Sequence, residues 1–439
     1  MLRLRPDVAS NLATELAIPE DSILSDSFLR ELMNVGDVDI VVGLPTYNDA
    51  RTVGQVVQAV RAGLLTYFPR ERSVIINADG GSRDGTQDLV RAAAISDLSA
   101  TNDVHALRTL HSISTQYENG PANGIAMHTI LAAADLLQAR ACAIVSPEST
   151  TLEADWIARL LRPVFRDGKD LVLPVYRRHK FDGLLIRNLV YPMAKVLYGC
   201  SVREPYPADF AFSGELGSQF LSQDIWNQEQ GRRGTELWMT IWAANARCKL
   251  AQSFLGPKTR REDAPSDLVG AMRETAGTLF SSLGTYSSVW HSRPDLVPAP
   301  CSGCEAAISE EPSRLNRKRL HDMFTFGVKE LDPVFLSILS PPTHEQLRGL
   351  ADLPEEKFSY SAELWARTVY EFAVAYHKTV MGRDHIVQAL VPLFRGRAYT
   401  FLTENRDAAA EQLERNVEQL VHAFEKEKPV LLELWDGRR

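Results

Sequence analysis

The sequence predicts an α/β fold: a mostly parallel sheet flanked by helices at about 37–290, then an α-helical C-terminal region at 311–439. Residues 1–36 read as a helical lead-in, and 291–310 as a linker or loop. Three observations predict this. Val41-Val42-Gly43-Leu44 runs into Pro45-Thr46-Tyr47-Asn48-Asp49, and a second apolar run ends in Asp79-Gly80-Gly81-Ser82-Arg83-Asp84-Gly85-Thr86. Each then becomes a helical pattern, so the two are consecutive strand–loop–helix units. Short apolar strands go on alternating with amphipathic helices to about residue 200, which argues for βαβ units. Beyond Glu311 the apolar spacing is dominantly helical.

The elements follow in order. Leu12, Leu16, Leu29, Leu32 and Met33 give the lead-in its helical spacing. Asp39 to Leu44 is a strand, and Thr52 to Leu65 a helix with Val53, Val56, Val57, Val60 and Leu64 on one face. Ser73 to Asn77 is the next strand, Gln87 to Ala94 the next helix, and His105 to Leu110 a third strand. Helices at Asn123–Gln138 and Glu153–Val164 bracket a short strand at Ala141–Ser146, and Leu171–Tyr176 is a strand. Pro205-Tyr206-Pro207 marks an irregular connection, because proline lacks an amide hydrogen and fixes its own φ. Alternation is lost beyond it, although Thr235–Arg247 reads as a helix. Ala362–Met381, Ile386–Glu404 and Ala408–Trp435 are long amphipathic stretches, whose Trp365, Tyr370, Tyr376 and His377 read as core.

Bulk properties narrow the function classes. With 24% charged and 45% hydrophobic residues, the 439-residue chain has an ordinary globular composition of two or three domains. A net charge of -8 argues against a general nucleic-acid binder. Met1-Leu2-Arg3-Leu4-Arg5-Pro6 lacks the apolar core of a signal peptide, and no apolar run is long enough for a membrane span, so a cytoplasmic protein is expected. Cys301-Ser302-Gly303-Cys304 has the spacing of half a zinc site or a redox pair. No second Cys/His pair completes a zinc site, and the two read as loop thiols.

Loops of successive parallel strands open on one edge of the sheet, where open α/β sheets bind ligands. A lone acid among glycines there, Asp79, suits contact with a nucleotide base or ribose. A carboxylate accepts an imide N–H in a charge-assisted bond, and glycines let the backbone approach. Gly81-Ser82-Arg83-Asp84-Gly85-Thr86 and the upstream Pro45-Thr46-Tyr47-Asn48-Asp49 together resemble the family-two type of glycosyltransferase. That resemblance implies a GT-A, Rossmann-like domain in which Pro45, Thr46, Tyr47, Asn48 and Asp79 hold the nucleotide.

Further segments, to about residue 270, resemble the retaining branch that includes the glucosyl-3-phosphoglycerate and mannosylglycerate synthases. Gly120-Pro121-Ala122-Asn123-Gly124 stands where the branch has a Gly-Lys-Gly loop opening a helix, so Gly120, Asn123 and Gly124 join the nucleotide set without the basic residue. Small residues at a helix N-terminus suit a diphosphate. The strand ending at Ser146 should carry an Asp-x-Asp metal motif; here it is Ser146-Pro147-Glu148-Ser149, leaving Glu148 as the candidate metal ligand. One or two carboxylates with substrate phosphates can hold Mg²⁺. Where the branch has a histidine ligand, this chain has Lys258, Arg260 and Arg261, cations able to neutralise a leaving diphosphate without metal. The cofactor is therefore Mg or Mn, or no metal at all.

Tyr206-Pro207-Ala208-Asp209 and Gly234-Thr235-Glu236 resemble the branch's acidic segments at the sugar and acceptor, which makes Asp209 and Glu236 the catalytic candidates. A carboxylate can accept sugar hydroxyls or take a proton from an attacking one. The basic cluster Arg177-Arg178-His179-Lys180 suits an anionic acceptor, with Arg177 and Arg178 as its ligands. The resemblance implies a cytoplasmic, homodimeric hexosyltransferase using a nucleotide diphosphate sugar and a small hydroxylated acceptor, such as glycerate or phosphoglycerate. Alternatives are a metal-independent or phosphorolytic relative, and a non-catalytic sugar-nucleotide-binding scaffold.

Overall fold

The computed structural model describes residues 23–96, 110–117, 123–228, 233–258, 267–292, 295–303, 308–309 and 316–437. Helix α1 (Asp26–Val35) is capped by the Ser25 hydroxyl and leads into β1 (Ile40–Thr46), α2 (Val53–Tyr67), β2 (Ser73–Asp79) and α3 (Thr86–Ser96). Then come β3 (Leu110–Gln116), α4 (Asn123–Leu136), β4 (Ala141–Ile144), α5 (Ala154–Asp167) and β5 (Leu171–His179). A π-helical turn (Ile186–Val190) enters α6 (Tyr191–Tyr198). The domain continues with β6 (Phe210–Ser213), α7 (Gly214–Leu221), α8 (Thr235–Asn245), β7 (Leu250–Pro257), α9 (Leu268–Thr285) and α10 (Ser287–His291).

The strands form one sheet in the order β3-β2-β1-β4-β6-β5-β7, with β6 antiparallel to both its neighbours. The other strands run in one direction. The expected α/β class, with its mostly parallel sheet, its flanking helices and its helical C-terminal region, is present. Alternation along β1 explains the layering. Ile40, Val42 and Leu44 pack with Val53, Val57 and Trp156 of α2 and α5. Val41 packs on the other side, with Met127 and Ile130 of α4. A Cβ on Gly43 would lie 2.6 Å from Ile130, so α4 seats directly on the bare backbone of β1.

Three expectations change. The third strand is described at Leu110–Gln116, while residues 105–109 of the expected His105–Leu110 lie outside the described residues; as the sheet's outer strand it is mostly half-exposed and carries Ser112, Ser114 and Thr115, which hid it from apolar patterning. Beyond residue 200, where the alternation is lost, β6 and β7 complete the sheet within the expected 37–290. The stretch read as a linker contributes β8 (Cys301–Ser302), paired with β7, and β9 (Ile308–Ser309), paired with β5. Cys301 is disulfide-bonded, which corrects its reading as a loop thiol; Cys304 lies outside the described residues.

The C-terminal helices are α11 (Arg317–Glu330), α12 (Asp332–Ile338), α13 (Pro341–Ala351), α14 (Ala362–Lys378), α15 (Arg383–Glu404) and α16 (Ala410–Trp435). Their apolar core is continuous with Leu189, Tyr191 and Leu197 by α6 and with Leu237, Leu279 and Phe280 of α8 and α9. Trp365, Tyr370 and Tyr376 are buried in it, whereas His377 is exposed and stacks on Trp435. Among the described residues no helix is long and apolar enough to cross a membrane.

Candidate active site

The parallel strands bring Thr46, Asp79, Ser146 and Arg177 to one edge. Because β6 runs the opposite way, it presents its amino end there, and Asp209, the residue before it, joins them. Lys258 follows β7 at the same edge.

The first two loops are laced into one unit. The Thr46 hydroxyl contacts Asn77 Oδ1 at 2.8 Å and Asp79 Oδ2 at 3.0 Å. The Asn48 amide donates to Ser82 Oγ (2.8 Å), and the Arg83 amide donates back to Asn48 Oδ1 (3.0 Å). Asn48 sits at φ 58°, a left-handed position that asparagine tolerates better than most residues. The Asp49 amide donates to Thr86 Oγ1 (2.8 Å), and Ala50 to Asp84 Oδ2 (3.0 Å). Tyr47, 39% exposed, is left on top with an aromatic face available for stacking.

Asp79 is fully buried at the centre of this unit. Oδ1 accepts from the amides of Gly81 (3.0 Å) and Ser82 (2.8 Å) and from Gln87 Nε2 (2.9 Å). Oδ2 accepts from the hydroxyls of Ser82 (2.7 Å) and Thr46 (3.0 Å). Burial alone would raise its pKa, but the bonds from Gln87, Ser82 and Thr46 outweigh it and hold the carboxyl below its ordinary value. Asp79 therefore differs from the open carboxylate expected from the sequence. It organises the loop from within, and the loop's backbone and Tyr47 face outward.

A second cluster lies across the strand ends. Asp209, also fully buried, accepts from the Ser146 amide (2.9 Å) on Oδ1, and from the Tyr176 hydroxyl and Lys258 Nζ (2.6 Å) on Oδ2. Burying a charge requires such compensation. Both predicted roles shift accordingly: Asp209 is not an acid open to substrate, and Lys258 is anchored on it. Burial pushes the Lys258 ammonium down, with the Asp209 charge opposing that shift. Arg178 stacks on the Tyr176 ring (4.8 Å) and pairs with Glu204 (3.1 Å). Residues i and i+2 of a strand share a face, so Arg178 joins Tyr176 on the cluster side. Arg177 is exposed on the opposite face, and the two predicted acceptor arginines do not converge.

Glu236 is buried in the first turn of α8. Gly234 precedes it at φ 70°, and a Cβ there would lie 2.2 Å from the Glu274 carbonyl of α9. Glu274 in turn accepts from the Tyr206 hydroxyl (2.8 Å), tying the Tyr206–Asp209 segment to the start of α8. Burial raises the Glu274 carboxyl, against the bond from Tyr206. Sequence reasoning missed Tyr176, Glu274 and the Ser146 amide. Tyr176 had a signal, as the last buried residue before a basic strand end; Glu274, inside an amphipathic helix, had none. Glu148 is exposed. Gly124 is buried just inside α4, whereas Gly120, Arg260, Arg261 and the side chain of Asn123 lie outside the described residues.

No family model and no curated protein matches the chain. Solved structures similar to it include glucosyl-3-phosphoglycerate synthase from Mycobacterium tuberculosis in complex with Mn²⁺, UDP and glucosyl-3-phosphoglycerate. Identity is 22% and the TM-score 0.43, over 61% of this chain and 86% of that one. The same enzyme with Mn²⁺, UDP-glucose and glycerol 3-phosphate gives 21% and 0.42, over 61% and 87%. A further structure, of a mycobacterial protein, gives 20% and 0.39, over 61% and 80%.

Proposed function

We propose that this chain is a glycosyltransferase that moves a hexose from a nucleotide diphosphate sugar to a small, anionic, hydroxylated acceptor of the glycerate or phosphoglycerate kind, with retention. The observation that carries the reading is the laced pair of loops, Thr46–Ala50 with Asp79–Thr86, set on the same sheet edge as the Asp209–Lys258–Tyr176 cluster. The first unit offers backbone groups and an exposed aromatic ring to a nucleotide. The second offers a fixed cation a few strands away, where a leaving diphosphate needs charge.

Glu236 is the carboxylate kept for the sugar and acceptor side, and Arg178 the acceptor-side cation, since it shares a face with Tyr176. Both roles rest on the sequence resemblance together with their burial and placement. A homodimer in the cytoplasm belongs to the same reading, and sedimentation equilibrium measures the dimer.

Calorimetric titration of the full chain with UDP, GDP and ADP, followed by turnover of the matching nucleotide sugars, tests the activity. One nucleoside diphosphate is expected to bind, and its glucose or mannose ester to be consumed only with acceptor present. Binding of none of them overturns the reading. Binding without turnover, unchanged by Glu236→Ala, favours the scaffold alternative.

A further inference from the structure

The resemblance implies a divalent metal held at the end of β4, and the residues present there do not fit one. The strand end supplies the Ser146 amide, whose N–H points at Asp209 (2.9 Å), and no carboxylate of its own. Glu148, two residues on, is exposed. The acid that the fold does bring to this strand end, Asp209, already carries an ammonium 2.6 Å from Oδ2. A dication on the same carboxylate would lie within a few ångströms of that ammonium and be repelled by it. The nearby Glu204 is committed to Arg178. Among the described residues, no group of three or more His, Cys, Asp or Glu side chains could hold an ion.

We propose that Lys258 is the site's resident cation and that the protein binds the diphosphate of its donor without a divalent metal. This rests on the glycosyltransferase reading and deepens it. An ammonium has three N–H donors. One is used on Asp209, and a second is directed at the Tyr176 hydroxyl (3.3 Å), over whose ring the nitrogen lies (4.5 Å from the centroid). Among the described residues the third has no partner, and it is the one offered to a phosphate oxygen. Asp209 holds the cation as a metal-binding acid would hold an ion. The Ser146 amide and the Tyr176 hydroxyl fix that carboxylate, so the ammonium's position is set before the ligand arrives. The side chain is only 10% exposed, and its bonds gain strength from exclusion of water. A lysine on a sheet-end loop is usually solvated; this one is held at a defined point beside the strand end where the metal would otherwise sit.

The test is calorimetric binding of UDP, GDP and ADP to the full-length protein, in EDTA and again in Mn²⁺. The expected result is one nucleoside diphosphate bound with the same Kd, within about threefold, in both conditions. Lys258→Met is expected to weaken that binding about tenfold or more, as loss of a charge-assisted bond does, and Lys258→Arg to recover most of it. The double variant Ser146→Asp, Lys258→Ala places an acid just beyond β4 and frees Asp209, and is expected to bind the nucleotide only with Mn²⁺. The wild-type comparison needs no variant to fold. Binding that vanishes in EDTA and returns with Mn²⁺ overturns the resident-cation proposal and leaves the glycosyltransferase reading standing. Metal-free binding that a folded Lys258→Met protein retains also overturns it. No binding in either condition overturns both.

Discussion

A carboxylate has about four lone-pair directions, and Asp79 spends them on five donors of its own loops. Its pKa is held down in the folded chain, so its stabilisation is present above about pH 4, the unfolded value, and is lost as pH falls through the folded one. Asp79→Asn is expected to cost about 3 kcal/mol at pH 6, with the difference from wild type shrinking below pH ~4; urea melts across that range measure it. Glu274 has the opposite sign. Its raised folded pKa means that ionisation penalises the fold above that value, and the penalty is gone below the unfolded pKa. Glu274→Gln, which keeps an acceptor for Tyr206, is expected to raise Tm at pH 7 and to lose that advantage near pH 4. The sequence showed an acid in a glycine-rich turn at Asp79. It did not show that the acid points inward, because five donors from three segments meet only after folding.

At the scale of elements, the direction of one short strand decides the site. Phe210-Ala211-Phe212-Ser213 reads as an apolar run of unspecified direction. Pairing antiparallel between β4 and β5 brings its preceding acid to the ligand edge. Close backbone approaches hold the neighbours in register. A Cβ at Gly214 would lie 1.8 Å from the Ala139 carbonyl, where β6 turns into α7. At Gly234 the left-handed φ and the Glu274 carbonyl together exclude a side chain. Gly234→Ala is therefore expected to displace the first turn of α8, with Glu236 on it. Turnover should fall about a hundredfold, as for a misplacement of about 1 Å, while nucleoside diphosphate affinity is kept; steady-state kinetics beside calorimetry separates the two. Strands β1, β2 and β4 and the long helices were legible because period 2 and period 3.6 are local signals. β3 was not, because an outer strand need not be apolar.

For the whole molecule, the helical region and the sheet domain are joined by more than a chain connection. Trp365 Nε1 donates to the Asn188 carbonyl in the π-helical turn (2.7 Å), and Arg397, 3% exposed, reaches Asn188 Oδ1 (3.2 Å), the Tyr360 carbonyl (2.9 Å) and Glu404 (3.1 Å). Lys195 and Arg203 pair with Glu418, and Arg203 also with Glu414, all on the face of α16 turned to α6. These contacts brace the segment that follows the Arg178 strand end. Arg397→Leu is expected to lower stability by about 3 kcal/mol within a single cooperative transition, measured by calorimetry. A chain cut after residue 310 leaves Tyr191, Leu197 and Phe280 uncovered and is expected to aggregate or bind ANS.

Among the described residues from 40 to about 200, the alternation of strands and helices apart from β3 was legible in the sequence, as were the pairing of two loops at one sheet edge and the long C-terminal helices. Each follows from short-range periodicity and turn chemistry. Folding was needed to show that Asp79 is an internal brace and that Lys258 and Asp209 hold one another. Those facts depend on strand direction and burial, which bring Asp209 to Lys258 and Ser146, 49 and 63 positions away, and Asp79 to Thr46, 33 positions away, and no local pattern encodes them.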